Sequence, residues 1–395
     1  MLRSNGHTSM TMNQTLHANS FHSKPSAVAD LTEMFTPWTC PSTGIVSWIL
    51  SKRIAPHQQS FYFVNPSFTD DGRYLWFYCA FPPGGSALYG RQLGVADLHT
   101  GELHHFPETQ FMDASPAVNT RTGEIFWTTG LEVWKRGPSP DDAAERVNVF
   151  PEELAKNRQP RRLATHLTFS ADGRAVNIDA EIGNEWFVGD LPLGGGDFRL
   201  WQTFDRCYNH AQFSPIDPDV QLLAQDGWND ASTGVKGDGL DRLWLIRRGE
   251  PARPLCSDAP APSSRRGHEW WDADGQHVWY IDYRNGTERV HIHTGQRENI
   301  WPGGHTHSHC DRTGGYLVGD INAADRPWRV AFFNRRTGKE IDIIASMPNW
   351  PRVKYHVHPH PQFCCNDRYI CYTTNVCGRV DVALVAVDDL IDATR

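Results

Sequence analysis

A hairpin-like pattern repeated seven times along the chain constrains the fold most. Each copy has two apolar or aromatic-rich positions, a polar turn that usually contains Asp and Gly, and then an alternating apolar run. Asp-Gly pairs favour hairpin turns, and the alternation has the period of a strand. The copies are SFTDDGRYLWF from Ser67, AVNTRTGEIFW from Ala117, TFSADGRAVNI from Thr168, QFSPIDPDVQLLA from Gln212, WWDADGQHVWYI from Trp270, HCDRTGGYLVG from His309 and QFCCNDRYICYTT from Gln362.

The spacing of these copies predicts an all-β protein, a seven-bladed β-propeller. Their starts are 39 to 58 residues apart, which leaves room for the four short strands of a propeller blade. We expect the propeller to span residues 31–395, after a flexible tail over residues 1–30 that is rich in Ser, Asn, His and Thr. A sandwich or barrel is the alternative fold. The segment Asp141 to Asn157 is the best helical candidate and is predicted as an insertion between blades.

Composition excludes several classes of protein. A net charge of -8 argues against nucleic acid as a partner, because phosphate binding needs a broad positive field. No apolar run reaches 18 residues, so we expect no membrane partner. The nine cysteines are scattered without a CxxC pair and the first residues lack an apolar signal core, so we expect reduced thiols and a cytoplasmic location.

Histidines occur in register with the repeat. Two residues before each of the last five copies stands a histidine, and the first two copies have Asn65 and Ser115 at that position. Equivalent positions in successive blades lie on a ring around the propeller axis, so we expect these side chains to converge on one site. The five are His166, His210, His268, His307 and His360.

Strand alternation adds residues two positions further upstream to the same predicted lining. Several neutral imidazoles form a site suited to Mn, Fe, Ni or Zn, whereas calcium prefers oxygen ligands. The alternative interpretation is that the histidines are hydrogen-bonding links between strands. The added residues are Tyr208, Arg266, His305 and His358.

Five segments, taken together and in order, resemble the oligogalacturonate lyase family. The resemblance runs from about His57 to the C-terminus. It implies a seven-bladed propeller that binds a divalent ion, typically manganese with calcium or zinc as alternatives, and acts on short pectin-derived uronides. The segments are NHAQFSPIDPDV around His210, DRLWLIRR around Arg242, GHEWWDADG around His268, HTHSHCDRTGGYLVGD around His307 and HPHPQF from His358.

The resemblance implies roles for individual residues. His307, His358 and His360 match the family's three histidine ligands of the metal. His268 matches its proton-abstracting base, and Arg242 matches the cationic residue near the reacting sugar. These residue types suit β-elimination, in which a base removes the C5 proton while cations stabilise the charge that develops on the uronate carboxylate.

Further residues are predicted around the substrate. His210 is a candidate for contact with a sugar hydroxyl or carboxylate and is placed in the catalytic set, and Arg266 is a candidate clamp for an adjacent uronate. His57 is a candidate substrate contact. Tyr355 stands where the family has a glutamine ligand, so we place it among the substrate-binding residues and expect His356 or water to complete the metal's coordination.

Three other functions are considered. A propeller lyase acting on another uronate glycan, such as an ulvan-like or rhamnose-linked glucuronate polymer, would fit the substitution at Tyr355. A noncatalytic propeller that binds a protein partner has no need for five histidines in register. A serine peptidase is excluded because no GxSxG nucleophile turn is present. The predicted partner is therefore an acidic oligosaccharide.

Overall fold

The described residues form seven β-sheets, which are the blades of a propeller. Five blades have four strands, one has five, and one has three regular strands. The computed structural model describes residues 33–81, 91–110, 115–257, 261–322, 327–349 and 357–395, so the whole predicted tail, residues 1–30, lies outside them. Blade 1 consists of His57–Gln59, Tyr74–Ala80, Arg91–Asp97 and Glu102–Phe106. Blade 2 consists of Ala117–Val118, Ile125–Thr129, Glu132–Arg136 and Glu145–Val149. Blade 3 consists of Ala175–Ile182, Glu185–Pro192 and Arg199–Phe204.

Blades 4 to 6 continue the same antiparallel order. Blade 4 consists of Tyr208–Phe213, Val220–Gln225, Leu243–Arg247 and Arg253–Pro254. Blade 5 consists of Arg266–Trp271, His277–Asp282, Gly286–His291 and Arg297–Pro302. Blade 6 consists of His305–Cys310, Tyr316–Ile321, Arg329–Asn334 and Lys339–Ile344. A small two-stranded sheet, Trp228–Asn229 with Lys236–Gly237, extends from blade 4. The predicted seven-bladed propeller is confirmed.

Blade 7 joins the two ends of the described chain. Its strands Gln362–Cys364, Tyr369–Thr374 and Asp381–Ala386 are followed in the same sheet by Val46–Leu50 and Phe35–Thr39. The two parts of the sheet pair through Trp48 with Leu384 and Ile49 with Ala383. Early strands thus complete the last blade and close the ring.

Apolar side chains fill each of the seven interfaces between neighbouring blades. Seven hydrophobic clusters are present among the described residues, and each combines strands of two adjacent blades. Between blades 4 and 5, for example, Leu222 and Leu243 pack with Val278 and Tyr280, all buried. The alternation in every repeat copy therefore serves to bury both faces of a blade against its neighbours.

The predicted helical insertion is largely wrong. Glu145–Val149 is the outermost strand of blade 2, and only Glu152–Ala155 is helical in that segment. The polar and charged residues of this strand reflect its exposed position at the rim of the propeller. Within the described ranges the other α-helix is Val387–Ala393, and Ser263–Arg265 forms a 3-10 turn. No helix among the described residues has the length and apolar character needed to cross a bilayer.

Candidate active site

β-Bulges in the first strand of several blades set the direction of the histidines. In blades 4 and 5 the pairing register shifts around His210 and His268, and both residues have a left-handed backbone with a φ of 53°. His360 has a φ of 44° and His307 follows a register shift in blade 6. Such conformations are uncommon for residues other than glycine and are concentrated at functional sites.

Four histidines of the repeat surround one half-buried tyrosine, Tyr62. The Tyr62 ring stacks on His166 at 4.5 Å between centroids, and its centroid lies 4.9 Å from His360, 5.9 Å from His307 and 6.4 Å from His268. Burial raises the pKa of Tyr62 well above its ordinary value, so this ring is a neutral spacer. Residues that are about 50 positions apart in sequence thus converge on a common centre.

Three of the histidines form a possible metal site. One ring nitrogen from each of His307, His358 and His360 lies within 4.8 Å of the others. Burial lowers the pKa of His307 well below its ordinary value, and the neighbouring His358 lowers it further. The ring is therefore neutral, as a metal ligand must be.

A buried carboxylate orients this site. Asp320 accepts the backbone N–H of His307 at 2.9 Å and that of His360 at 3.2 Å, and it also accepts His307 Nδ1–H at 2.9 Å. Burial raises the pKa of Asp320 to about 7. The hydrogen bond to Nδ1 leaves His307 Nε2 buried with no hydrogen-bond partner among the described residues. A cation held by the three rings would satisfy that nitrogen, so these residues fit a divalent metal.

His268 lies beside the possible metal site. Its ring centroid is 4.1 Å from that of His307, and its Nδ1 is 3.0 Å from the Tyr283 hydroxyl. Burial lowers the pKa of His268 well below 6.5, and His307 and Arg242 lower it further. A neutral imidazole at this position can accept a proton.

Arg242 belongs to a buried ionic network that also reaches His210. Its Nε and second terminal nitrogen contact Glu269 at 3.1 and 3.2 Å, and its first terminal nitrogen contacts Asp226 at 3.0 Å. His210 Nδ1 lies 3.2 Å from Glu269 and 3.4 Å from His166 Nε2. Although burial opposes its charge, the two carboxylates raise the pKa of Arg242, which stays cationic.

A cavity of about 370 Å³ connects these groups. His268, His360 and Arg242 line it, and Arg91 and Arg162 line it from other blades. Three arginines and the Asp226 carboxylate thus line one cavity, whose positive charge outweighs its negative charge although the net charge of the chain is -8. Such a cavity favours an anionic ligand.

Several predicted residues lie elsewhere. Arg266 is buried beside Tyr280, with its guanidinium carbon 5.8 Å from the ring centroid, and does not line the cavity. His305 packs on Trp301 at 4.0 Å between ring centroids. Tyr208 likewise stacks on Phe204, the last residue of the outer strand of blade 3, at 4.0 Å between ring centroids. The bulges insert an extra residue, so Tyr208, Arg266 and His305 do not share the direction of the ring histidines two positions after them. The fourth predicted residue, His358, does lie together with His360.

Two substrate-binding predictions gain no support from the cavity. His57 begins the first strand of blade 1, is half-buried and is absent from the cavity lining. Burial lowers the pKa of His57, and the charge of Arg53 lowers it further. Tyr355 and His356 lie outside the described residues.

The sequence analysis missed the residues that hold the histidines in place. Glu269 and Asp320 both occur inside the family-like segments, directly after His268 and at the end of HTHSHCDRTGGYLVGD. Tyr62 lies three residues before Asn65, the first repeat's counterpart of the ring histidines. For Glu269 and Asp320, the available signal in the sequence is an acidic residue within a histidine-rich segment.

Sequence comparison finds relatives that bear out the motif resemblance. No protein-family model matches the chain. A curated oligogalacturonate lyase of Dickeya dadantii (strain 3937) is 25% identical over 225 residues, which are 51% of this chain and 55% of that protein. An oligogalacturonide lyase of Pectobacterium atrosepticum is 26% identical over 226 residues, again 51% and 55% of the two chains. The match thus spans about half the length of these curated relatives.

Solved structures show the same fold over nearly the whole chain. An oligogalacturonate lyase in complex with manganese superposes with a TM-score of 0.68 at 18% identity, covering 89% of this chain and 96% of that one. An oligogalacturonate lyase from Vibrio parahaemolyticus gives a TM-score of 0.67 at 16% identity with the same coverage. Together with the sequence matches, this confirms the resemblance that the motifs indicate: the chain is similar to oligogalacturonate lyases in sequence and in fold.

Proposed function

We propose that this protein is a metal-dependent lyase that cleaves short oligogalacturonides by β-elimination. The observation that carries the proposal is the position of His268, which lies against the cluster of His307, His358 and His360 and lines a cavity that Arg242 also lines. The relatives described as oligogalacturonate lyases support an acidic oligosaccharide as substrate.

His268 is the proposed base. It removes the C5 proton of the uronate, the C5 electron pair forms the C4–C5 double bond, and the C4–O bond breaks. Burial keeps the imidazole neutral before the reaction, so it has a free electron pair for the proton.

Arg242 is the proposed cationic partner of the substrate. Its terminal nitrogens lie at the cavity, where a uronate carboxylate can replace or join the partly exposed Asp226. Glu269 holds the other side of the guanidinium and His210, and therefore fixes both side chains against the cavity. His210 is proposed to contact the sugar.

His307, His358 and His360 are the proposed ligands of a divalent cation. When bound, the cation would stabilise negative charge on the uronate carboxylate as a Lewis acid. We propose manganese, with calcium or zinc as alternatives, because a neighbour of the same fold is a manganese complex.

The test is eliminative cleavage of digalacturonate, measured as the ultraviolet absorbance of an unsaturated uronate. We expect activity with Mn²⁺, loss of activity with a chelator and recovery when Mn²⁺ is added back. A signal on glucuronides but not on galacturonides would select the lyase for another uronate glycan. No signal on any uronide would refute the enzymatic proposal and favour a binding module.

Variants test the assignment of the base. His268→Gln should reduce kcat by about 10²- to 10⁴-fold, the range for loss of a general base, while metal content stays unchanged. The matched control is His293→Gln, because His293 is exposed on a turn of blade 5. Retained activity in His268→Gln would remove this residue as the base.

A further inference from the structure

Gly267, His268 and Tyr283 form a local arrangement that goes beyond the placement of a base. The backbones of blade 5 pair Gly267 with Ile281 and break register directly after it, at His268. This register brings the Tyr283 hydroxyl to 3.0 Å from His268 Nδ1, with the two rings edge to face at 5.8 Å between centroids. Tyr283 also lines the cavity.

The absence of a side chain at Gly267 makes room for that hydroxyl. A Cβ atom at this position would lie 2.4 Å from the Tyr283 hydroxyl oxygen and 3.2 Å from the adjacent ring carbon. The backbone at Gly267 is not left-handed, so conformation alone does not require glycine. The glycine therefore serves the close approach of Tyr283 to His268.

Tyr283 is the hydrogen-bond partner of the His268 ring among the described residues. Partial burial raises the pKa of Tyr283 to about 12 although the residue is still 44% exposed, so the hydroxyl keeps its proton and its oxygen can accept a hydrogen bond. Since Nδ1 is engaged by Tyr283, Nε2 is the nitrogen available to a substrate in the cavity.

We propose that Tyr283 is a positioning residue for the base: its hydroxyl oxygen accepts Nδ1–H of His268 and thereby holds the imidazole in the tautomer whose Nε2 receives the C5 proton. The inference rests on the proposed function. In the step, the C5–H bond breaks and the Nε2–H bond forms. The electron pair of C5 forms the C4–C5 double bond, and the C4–O bond breaks with its electron pair going to the leaving oxygen, which takes a proton from water.

The stereochemistry of galacturonides argues against Tyr283 as the acid that protonates the leaving oxygen. In a 4-linked galacturonide the C5 hydrogen and the C4 oxygen lie on opposite faces of the sugar ring. A hydroxyl in contact with the base lies on the side of the C5 hydrogen. Tyr283 therefore acts through His268, by fixing its tautomer and accepting a hydrogen bond from the imidazolium that forms.

The kinetic test compares Tyr283→Phe with Gly267→Ala in the metal-loaded enzyme. Loss of a hydrogen bond to a charged group predicts that Tyr283→Phe lowers kcat about 10- to 100-fold, with KM within about twofold and metal content unchanged. Gly267→Ala should lower kcat similarly although it retains the tyrosine. Its effect should be much smaller in the Tyr283→Phe background, because the hydroxyl that it displaces is then absent.

A merely structural role would not change the tautomer, which NMR reports directly. In the full chain with ¹⁵N-labelled histidine and no metal, we expect the His268 proton on Nδ1, identified by comparison with His268→Gln. Tyr283→Phe should shift protonation toward Nε2. A wild-type proton on Nε2, or a kcat of Tyr283→Phe within twofold of wild type, would overturn the proposal. An inactive wild type would instead refute the proposed function and leave the NMR result to decide the tautomer.

Discussion

Asp320→Asn tests how the fold prepares the proposed metal site. The carboxylate accepts three N–H groups, two from His307 and one from the backbone of His360, at 2.9 to 3.2 Å. An asparagine keeps the shape but replaces one oxygen by an NH₂ group, which would face a donor. At least one of the three hydrogen bonds is therefore lost inside a fully buried site.

We expect Asp320→Asn to lower the affinity of the site for the metal. Loss of the outer hydrogen-bond partner of a histidine ligand typically weakens metal binding about 10- to 100-fold, which corresponds to about 1.4 to 2.7 kcal/mol. The rings of His307 and His360 remain present, so binding should be weakened and not abolished.

The assay is competition for Mn²⁺ between the protein and a fluorescent chelator. Asp179→Asn is the matched control, because Asp179 is equally buried and lies in Ala175–Ile182, the strand of blade 3 that corresponds to the second strand of the other blades. It accepts the backbone N–H groups of Thr165 and Ala211 at 2.7 and 3.3 Å and contacts no proposed ligand. A Mn²⁺ affinity of Asp320→Asn within twofold of wild type, or an equal loss in Asp179→Asn, would refute the reasoning.

Two further predictions concern charge. Asp226→Asn should lower KM for digalacturonate about two- to fivefold, because it frees one face of Arg242 and removes a negative charge from the cavity. Steady-state kinetics measure this change, and a raised KM would contradict the prediction. Burial lowers the pKa of His309 to about 4, and its Nδ1 accepts the Phe363 N–H at 3.0 Å. Since the unfolded chain takes up this proton near pH 6.5 and the folded one only near pH 4, stability should fall as pH drops between these values. Urea unfolding of His309→Gln should show a shallower fall, and equal slopes would contradict the assignment.

The sequence predicts the propeller well because its repeat and its burial pattern have the same origin. Each copy, such as WWDADGQHVWYI from Trp270, contains the turn and the apolar alternation that place a blade between two neighbours. The closing strands Phe35–Thr39 and Val46–Leu50 lack a repeat partner, so the pairing of Val46–Leu50 with Asp381–Ala386 follows only from the requirement that the ring closes.

The site is predicted only in part because strand periodicity fails at a bulge. The register of His210, His268 and His307 with the repeat indicates convergence, and the structure places them around Tyr62 and Glu269. The alternation rule then misassigns their upstream neighbours, since the pairing register shifts at each of these histidines and the simple alternation of side chains is interrupted there.

The partners of the histidines are even less accessible to sequence reasoning. Asp320 reaches the neighbouring blade to contact His360, and Arg242 pairs with Glu269 from the next blade. These contacts depend on the angle between blades. The repeat pattern describes residues within one blade and does not indicate which side chains meet across two blades.

Anomalous X-ray diffraction from crystals soaked in Mn²⁺ tests the central claim most directly. The account predicts one strong peak between the rings of His307, His358 and His360, next to His268, and loss of that peak in His358→Ala with His360→Ala. No peak between these rings, or a peak only at the hairpin group of Asp272, Asp274 and His277, would contradict it.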